Sequence, residues 1–589
     1  MKNLIHFILA ASAFLSFSCK SKNQKLDNIT AFTKVYGYVK YFHPSDEAAG
    51  IYWDKFAIYG ASQIEKCQSR EELLATLNQL FKPIAPSIQF ASNPSQFDTT
   101  LKRIIPDSLN KYGLTYWQHF GLGTGMRENN NAYKSLRVNR DVLEGIRLFN
   151  YEVKPSESII EKIGDDLYCQ VPIALYCNEE ATFPKANADK LAKLEKELLN
   201  TYEFQATDLS FRLGNVINTF NVFQHFYPYF EEVDIDWENA FKTAIEQCYT
   251  DATKEDHLIT LQKLTAHLAD GHITISNKYI KNHYMPAITW EWIEGQLVIT
   301  YVDSSVPKLH VGDIVTHINK QKANLYFDHI KEKISAGTTG WLNARANILS
   351  LTGKKNSSIS IETNNKSYSL KRTDYYWKFL KKINQKPSYQ ALDNGIWYLN
   401  LDKVEMDTIR YLLPQLSESS AIICDLRGYP NDNHEFIQYL MAIDDTTSSW
   451  MQVPKIVYAD HEKVVGYSHF NWIKMMKAKK PHLGNKKIIF IIDGRAISYA
   501  ESYMAFIEGY RLATIIGQPT AGTNGNVNEF KLPGGYKIRW TGMKVLKHDG
   551  SQLHGVGIIP DILLEKSILG VINGQDEFLN KALELAKTP

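Results

Sequence analysis

A chain of 589 residues that is 44% hydrophobic and 22% charged has the composition of a multidomain globular protein, not of a disordered or fibrous one. Its 66 lysines and arginines nearly balance 64 aspartates and glutamates, and a net charge of +2 argues against nucleic acid as a partner. The 33 tyrosines and 27 phenylalanines are scattered along the chain and read as core.

Residues 1–19 read as an address: Lys2, an apolar run from Leu4 to Phe17, then Ser18-Cys19. The run is short for a bilayer span. A small residue directly before a cysteine resembles the lipobox of bacterial lipoproteins, although Ser16 and Phe17 depart from its usual pattern. The resemblance implies a lipid anchor at Cys19 and a place on the periplasmic or surface face of a bacterial membrane. Simple cleavage is the other reading, and either takes the protein out of the cytoplasm. The remaining cysteines (67, 169, 177, 248 and 424) have no zinc-ligand spacing; Cys169 and Cys177 are open to bridging in an oxidising compartment, and free buried cysteines are the equal alternative. No metal or cofactor is expected.

The segment from Thr30 to Phe90 repeats as Gly214 to Thr274. Phe42, Pro44, Trp53, Leu74, Leu77 and Leu80 fall on Phe226, Pro228, Trp237, Leu258, Leu261 and Leu264 at a constant offset of 184 residues. Each copy predicts an aromatic-rich helix, a turn at the proline, a Trp-led helix and a leucine-spaced helix. After the third helix the copies diverge: Pro86-Ser87-Ile88 in the first, Asp270-Gly271-His272 in the second. Between them, about 101–186 mixes short strand-like runs with polar turns such as 127–131, and Asn187 to Tyr202 reads as a charged connecting helix.

From about Pro286 to Asp374 short alternating strands appear, among them Gln296 to Tyr301, Gly312 to Asn319 and Ile359 to Glu362. A turn feeding Gly-Asp-Ile-Val into a strand resembles the hairpin of PDZ modules, which bind chain termini by adding them as a strand. A small β-domain of another kind is the alternative.

Beyond Asn394, strands and helices alternate: strand Gly395 to Leu401, helix Glu405 to Leu416, apolar strands Ala421 to Leu426 and Ile488 to Ile492, then a helix from Ser498 to about Glu508. That order predicts a sheet buried on both faces, with a site beyond the carboxyl ends of its strands. The loops 425–432 and 493–498 qualify. A serine where a buried strand turns into a helix suits a nucleophile with oxyanion donors beside it. Ser498 followed by Glu501 is equally the pattern of a capping box.

In their order and spacing, Ile488 to Ile492, the run Ile497-Ser498-Tyr499-Ala500-Glu501-Ser502, Ile515 to Gly522 and Gly555 to Asp561 resemble the tail-specific (C-terminal processing) serine peptidases. Asp425-Leu426-Arg427-Gly428 and Asp270-Gly271-His272 resemble two further segments of that family, so the likeness spans about Gly214 to Leu564. It implies a multidomain α/β fold: an αββ-type catalytic core with a mixed or parallel sheet (ClpP/crotonase-like), a PDZ-like β domain and helical N-terminal repeat modules. The expected divisions are a signal peptide 1–19, an N-terminal domain 20–204, a second helical repeat 205–284, a PDZ-like domain 285–376 and a catalytic core 390–589.

The resemblance places the nucleophile on Ser498. One branch of the family activates it with a lysine just after the TxG turn, where this chain has Thr523. The tricorn-like branch uses a histidine from the helical subdomain, which matches His272; a neutral imidazole can take the serine proton. That branch orients its histidine with a glutamate near the GI-x-PD motif, but here His554 occupies the neighbourhood. Asp270, Asp549 and Glu501 remain open as the carboxylate, and His267 reads as core. The N–H of Tyr499 and the 428–432 loop, with Gly428 and Asn431, would hold the oxyanion, although the family's paired glycines are replaced by Asn431-Asp432. The implied activity is endopeptidase cleavage of unfolded polypeptides or of polypeptides recognised through their C-terminus. A binding lipoprotein that keeps the fold but has lost efficient chemistry is the competing reading, and hydrolysis of a non-peptide ester a third.

Overall fold

The computed structural model describes residues 23–588 apart from 99, 101–102, 124–131, 141–145, 156, 204, 365, 446–449, 471 and 473–475. Cys19, the segment 1–19 and the polar turn 127–131 lie outside the described residues.

The helical part follows from apolar spacing. In α1 (23–42), Ile29, Phe32, Val35, Tyr36, Val39 and Phe42 recur every three or four residues and are all buried. It is followed by α2 (Trp53–Ile64) and α3 (Arg70–Phe81), then by α4 (Leu209–Phe226), α5 (Trp237–Cys248) and α6 (Lys254–Ala266). Ser69 caps α3 and Thr253 caps α6, each accepting an N–H three residues on. Helix α4 is buried nearly all round, so its amides need protein partners. Asn218 donates to Asp54 at 2.9 Å and accepts from the Tyr36 hydroxyl at 2.8 Å, while Asn221 donates to the Thr33 carbonyl. A Cβ on Gly214 would sit 2.8 Å from Ile58, so glycine sets how closely α4 approaches α2.

The contacts between these helices are reciprocal. Asn218 meets Asp54, and the residues related to them by the 184-residue offset, Lys34 and Glu238, meet at 3.5 Å. Tyr36 packs on Trp53 as Phe220 packs on Trp237. Glu65 and Tyr249, themselves 184 residues apart, hydrogen-bond to each other.

After α6 the chain turns through Ala269 (φ 51°) and Asp270-Gly271-His272 into β1 (Thr274–Asn277). Next comes an antiparallel sheet in the order β2-β3-β4-β5-β6, formed by Ile288–Ile293, Gln296–Val302, Ile314–Ile318, Ser358–Thr363 and Ser367–Lys371. Its core takes up the buried residues of α7 (Thr339–Leu351), and a two-strand bridge between Tyr284–Met285 and Asp374–Tyr375 closes the segment.

The sheet that carries the site runs β7-β8-β9-β10-β11-β14. Its strands are β7 (Tyr389–Ala391), β8 (Ile396–Asn400), β9 (Ala421–Leu426), β10 (Lys487–Ile492), β11 (Thr514–Gly517) and β14 (Ile562–Leu563). All neighbours are parallel except β7, which runs antiparallel to β8. Alternation sorts the side chains. Ile422, Cys424, Leu426, Ile488, Phe490 and Ile492 pack on α8 (Met406–Ser417) and α9 (Tyr499–Gly509); Ile423, Ile489, Ile491 and Ile516 pack on α10 (Glu577–Lys587). Each fully buried isoleucine or phenylalanine contributes about 1.5–3 kcal/mol.

The segments expected as separate domains are woven together. Gly113–Phe120, expected within 20–204, pairs with Met451–Ile456 of the catalytic region in a seven-stranded sheet. Strand β1, expected within 205–284, is the third strand of a sheet with β12 (Val527–Leu532) and β13 (Tyr536–Thr541). Both pairings are fixed by non-local strand register, which apolar periodicity in the sequence does not report. The five cysteines at 67, 169, 177, 248 and 424 are all free and buried, so Cys169 and Cys177 are not bridged. Among the described residues no helix is long and apolar enough to cross a membrane.

Candidate active site

Strand β10 ends at Ile492 and the chain reaches α9 through a tight turn in which Ser498 has φ 60° and ψ −113°. A non-glycine residue is held there only when its surroundings over-determine it, and such strained strand-to-helix turns expose a nucleophile. The Ser498 N–H donates to the Thr523 carbonyl at 2.9 Å. Its side chain makes no capping bond to α9, so the capping-box reading is overturned: positive φ swings the hydroxyl away from the helix N–H groups.

Glu501, the other half of that supposed box, points inward. It is fully buried and accepts three hydrogen bonds: the Thr520 hydroxyl at 2.5 Å, the Gly522 N–H at 2.7 Å and the Thr523 N–H at 2.8 Å. Burial pushes its carboxyl up to about 7 against the pull of these donors. These bonds fasten the 520–523 turn, whose Thr523 carbonyl holds the Ser498 N–H.

That turn also receives the helical module. The Gly271 N–H donates to the Thr523 hydroxyl at 2.9 Å, and a Cβ on Gly271 would lie 3.1 Å from the Ile497 side chain. Thr523, which stands where one family branch has lysine, therefore holds the serine loop by its carbonyl and the histidine loop by its hydroxyl. Cross-strand register does the rest. Arg539 lies opposite Thr274, so continuing the antiparallel count sets His272 against Thr541. Its Nδ1 is 2.9 Å from the Thr541 hydroxyl oxygen. That hydroxyl donates to Asp270 Oδ1 at 2.8 Å, the Thr541 N–H donates to Oδ2 at 2.7 Å, and the His272 N–H donates to Oδ1 at 2.9 Å. Crowded surroundings depress the His272 pKa against the opposing pull of Asp270, so the ring is neutral at pH 7.

The remaining expected site residues divide. Gly428, at the end of β9, faces Asp402, whose Oδ2 would lie 2.1 Å from any Cβ there. Burial, reinforced by Asp425 and Asp493, pushes the Asp402 carboxyl up to about 7. Tyr499 opens α9, so its N–H lacks a helical acceptor and stands beside Ser498. Asn431 does not serve as an oxyanion donor: its N–H binds the Leu401 carbonyl and its amide the Lys403 carbonyl, both in the segment that follows β8. His554 does not support the serine either. It is buried, stacked on Tyr229 at 3.8 Å with Nε2 3.3 Å from the Tyr227 hydroxyl, and burial holds it at about 4. Asp549 is taken up by a turn, accepting from the N–H and hydroxyl of Ser551.

The charges of the 425–428 loop are structural. Arg427 forks onto Asp425 at 2.6 and 2.8 Å and onto Asp576, the N-cap of α10, at 2.8 Å. Sequence reasoning missed Thr541, Asp402 and this use of Arg427. Only the DLRG spelling signalled the last. Among the described residues Cys248, Asp251 and His257 form a group that could hold a metal ion, in the turn between α5 and α6 and not on the serine loops. There the Thr260 hydroxyl already donates to the Asp251 carboxylate, lying 2.8 and 3.1 Å from its two oxygens, and Asp251 is 3.5 Å from His257.

The β2–β6 segment abuts the site directly. Thr338, the N-cap of α7, donates to the Thr520 carbonyl at 2.9 Å, and a Cβ on Gly494 would lie 2.3 Å from the Gly340 backbone. Gly494→Ala should therefore force the two segments apart. The expected cost is roughly 1–3 kcal/mol, read as a lowered melting temperature with activity reduced alongside it; a variant as stable and active as the parent would show that the contact is dispensable.

A strained serine at a strand-to-helix crossover, with a histidine loop fastened to the same turn, is the arrangement of a serine hydrolase. Residues 400–564 match the model of peptidase family S41. The protein is a serine peptidase, and over those residues it is similar to the peptidases of family S41. Among solved structures the chain is similar to mature CPAF, at 12% identity and a TM-score of 0.52, covering 64% of this chain and 97% of that one. It is likewise similar to mature CPAF complexed with lactacystin, at 12% identity and a TM-score of 0.51, covering 64% and 98%. These likenesses speak to the fold. The photosystem II D1 C-terminal processing protease aligns at 12% identity and a TM-score of 0.33, covering 61% and 97%. No curated protein is similar to this chain.

Proposed function

We propose that the chain is an active endopeptidase working outside the cytoplasm, lipid-anchored at Cys19, with Ser498 as nucleophile and His272 as general base. The observation that carries this reading is that Thr523 binds both loops at once, its carbonyl to Ser498 and its hydroxyl to Gly271. Ser498 attacks a peptide carbonyl while the neutral His272 ring accepts its proton. The developing oxyanion is met by the N–H groups of Tyr499 and Gly428. His272 returns the proton to the leaving amine, and water hydrolyses the acyl-enzyme by the same path. No step needs a metal.

The β2–β6 segment is a PDZ-like module in this reading, supported by its antiparallel order and by free edges at β2 and β6 where a polypeptide terminus would add as a strand. The helices α1–α3 and α4–α6 are a duplicated unit, supported by the reciprocal pairs Asn218–Asp54 and Lys34–Glu238.

A fluorophosphonate probe should label the wild-type protein and fail to label Ser498→Ala, which should also lose cleavage of an unstructured polypeptide while keeping its melting temperature. Equal labelling of both proteins would refute the assignment of the nucleophile. An unlabelled, inactive wild type would favour a peptide-binding lipoprotein that retains only the fold.

A further inference from the structure

The family's orienting glutamate is missing, yet the His272 ring is not loose. We infer that Thr541 and Asp270 together replace that carboxylate, the threonine hydroxyl passing the charge of Asp270 to His272 Nδ1 through two successive hydrogen bonds. This rests on the reading of His272 as the base. Thr541 and Asp270 are positioning residues, since neither touches the reacting atoms.

The directions of the bonds follow from the donors available. Asp270 Oδ2 takes the Thr541 N–H, and Oδ1 takes both the His272 N–H and the Thr541 hydroxyl. The carboxylate has only acceptors, so the Thr541 proton points at Asp270 and its oxygen is left to accept. The group 2.9 Å away is His272 Nδ1, which must then carry the proton. That fixes the tautomer: Nδ1–H faces Thr541 and Nε2 is the bare nitrogen, the form a general base needs.

When the ring accepts a second proton from Ser498, the new charge is met by a hydroxyl already polarised by a buried carboxylate. The chain is a hydrogen-bond relay and no proton crosses it. Asp270 is itself held in place, its N–H bonded to the Ser335 hydroxyl at 2.8 Å, so both ends of the relay are anchored in different segments of the fold. The other groups facing this unit are His554, neutral because burial holds it at about 4, and the buried phenols Tyr133, Tyr227 and Tyr229, which stay protonated near neutral pH.

The test compares Thr541→Val, which keeps shape and the backbone N–H but removes the hydroxyl, with Thr541→Ser, which keeps the hydroxyl. Both are made in the full chain and checked for unchanged melting temperature. The rate of fluorophosphonate labelling should fall about 10²-fold in the valine variant and stay within about threefold of wild type in the serine variant. Loss of the relay also removes stabilisation of the imidazolium, so the acid limb of the rate profile should move to lower pH in the valine variant alone. A purely structural role would lower the plateau and leave the limb in place. Nitrogen-15 spectra of the His272 ring, assigned by its loss in His272→Gln, should show protonated Nδ1 in wild type and in Thr541→Ser, and a tautomer mixture in Thr541→Val. Wild-type labelling rates and an unmoved limb in the valine variant would overturn the inference while leaving Ser498 and His272 standing. A wild type that no probe labels would sink the catalytic reading, and the ring spectra would still decide the relay: an unchanged tautomer in Thr541→Val would overturn it.

Discussion

His272→Ala should lower kcat/KM on an unstructured polypeptide by about 10³- to 10⁴-fold with little change in melting temperature. The separation of the two effects comes from how the residue is held. Its backbone N–H binds Asp270, and alanine keeps that bond; among the described residues the side-chain hydrogen bond removed is the one to Thr541. Added imidazole should restore part of the lost rate. The wild-type pH profile carries the same signature. His272 acts only when neutral, and its pKa lies below the ordinary imidazole value because desolvation outweighs the pull of Asp270. Activity should therefore persist as pH falls through 6.5 and be lost only below it. An alanine variant within about threefold of wild type would remove His272 from the mechanism.

Local signals placed Ser498 at a strand-to-helix turn, and the family resemblance made it the nucleophile. Five consecutive apolar residues from Ile488 to Ile492, four of them β-branched, read as a strand buried on both faces, as found, with a helix following near Ser498. The spacing from Ser498 to Glu501 was ambiguous because one helical turn serves either a cap or an inward-facing carboxylate. Backbone strain at φ 60° decided between them, and no residue-level pattern encodes that strain. The contrast between the two repeat copies, whose third helices agree and whose exits differ, drew attention to the Asp270-Gly271-His272 segment, and the family resemblance gave His272 its role. Thr541 was illegible because nothing ties residue 541 to residue 272 except the pairing of β13 with β1. Asn431 and His554 were assigned by position in a motif, which does not describe the packing that ties Asn431 to the Leu401 and Lys403 carbonyls and stacks His554 on Tyr229. The woven sheets failed for the same reason as Thr541: apolar periodicity reports which face is buried, not which distant strand lies alongside.

Glu501 is the residue whose loss should damage stability and activity together. Its carboxylate is the only acceptor for the Thr520 hydroxyl and the Gly522 and Thr523 N–H groups shown by the structure, and the turn they form holds Ser498 and Gly271. Glu501→Ala would leave three buried donors without partners at about 1–3 kcal/mol each before relaxation, so a net loss of roughly 3–5 kcal/mol is expected. Glu501→Gln keeps size but turns an NH₂ toward an N–H donor, and should cost about 2 kcal/mol. The pH dependence has a definite sign. The folded carboxyl is held near 7, above its ordinary 4.5, so the folded state keeps a proton that the unfolded chain releases. That contribution is complete below about pH 4.5 and is lost as pH rises through 7, on the order of 3 kcal/mol over the window. Glutamine has no such proton, so the stability deficit of Glu501→Gln should be larger at pH 5 than at pH 8. Chemical denaturation of both proteins at the two pH values reads this directly, and a deficit that grows with pH would mean that the carboxylate, not the acid, is the form the folded turn prefers.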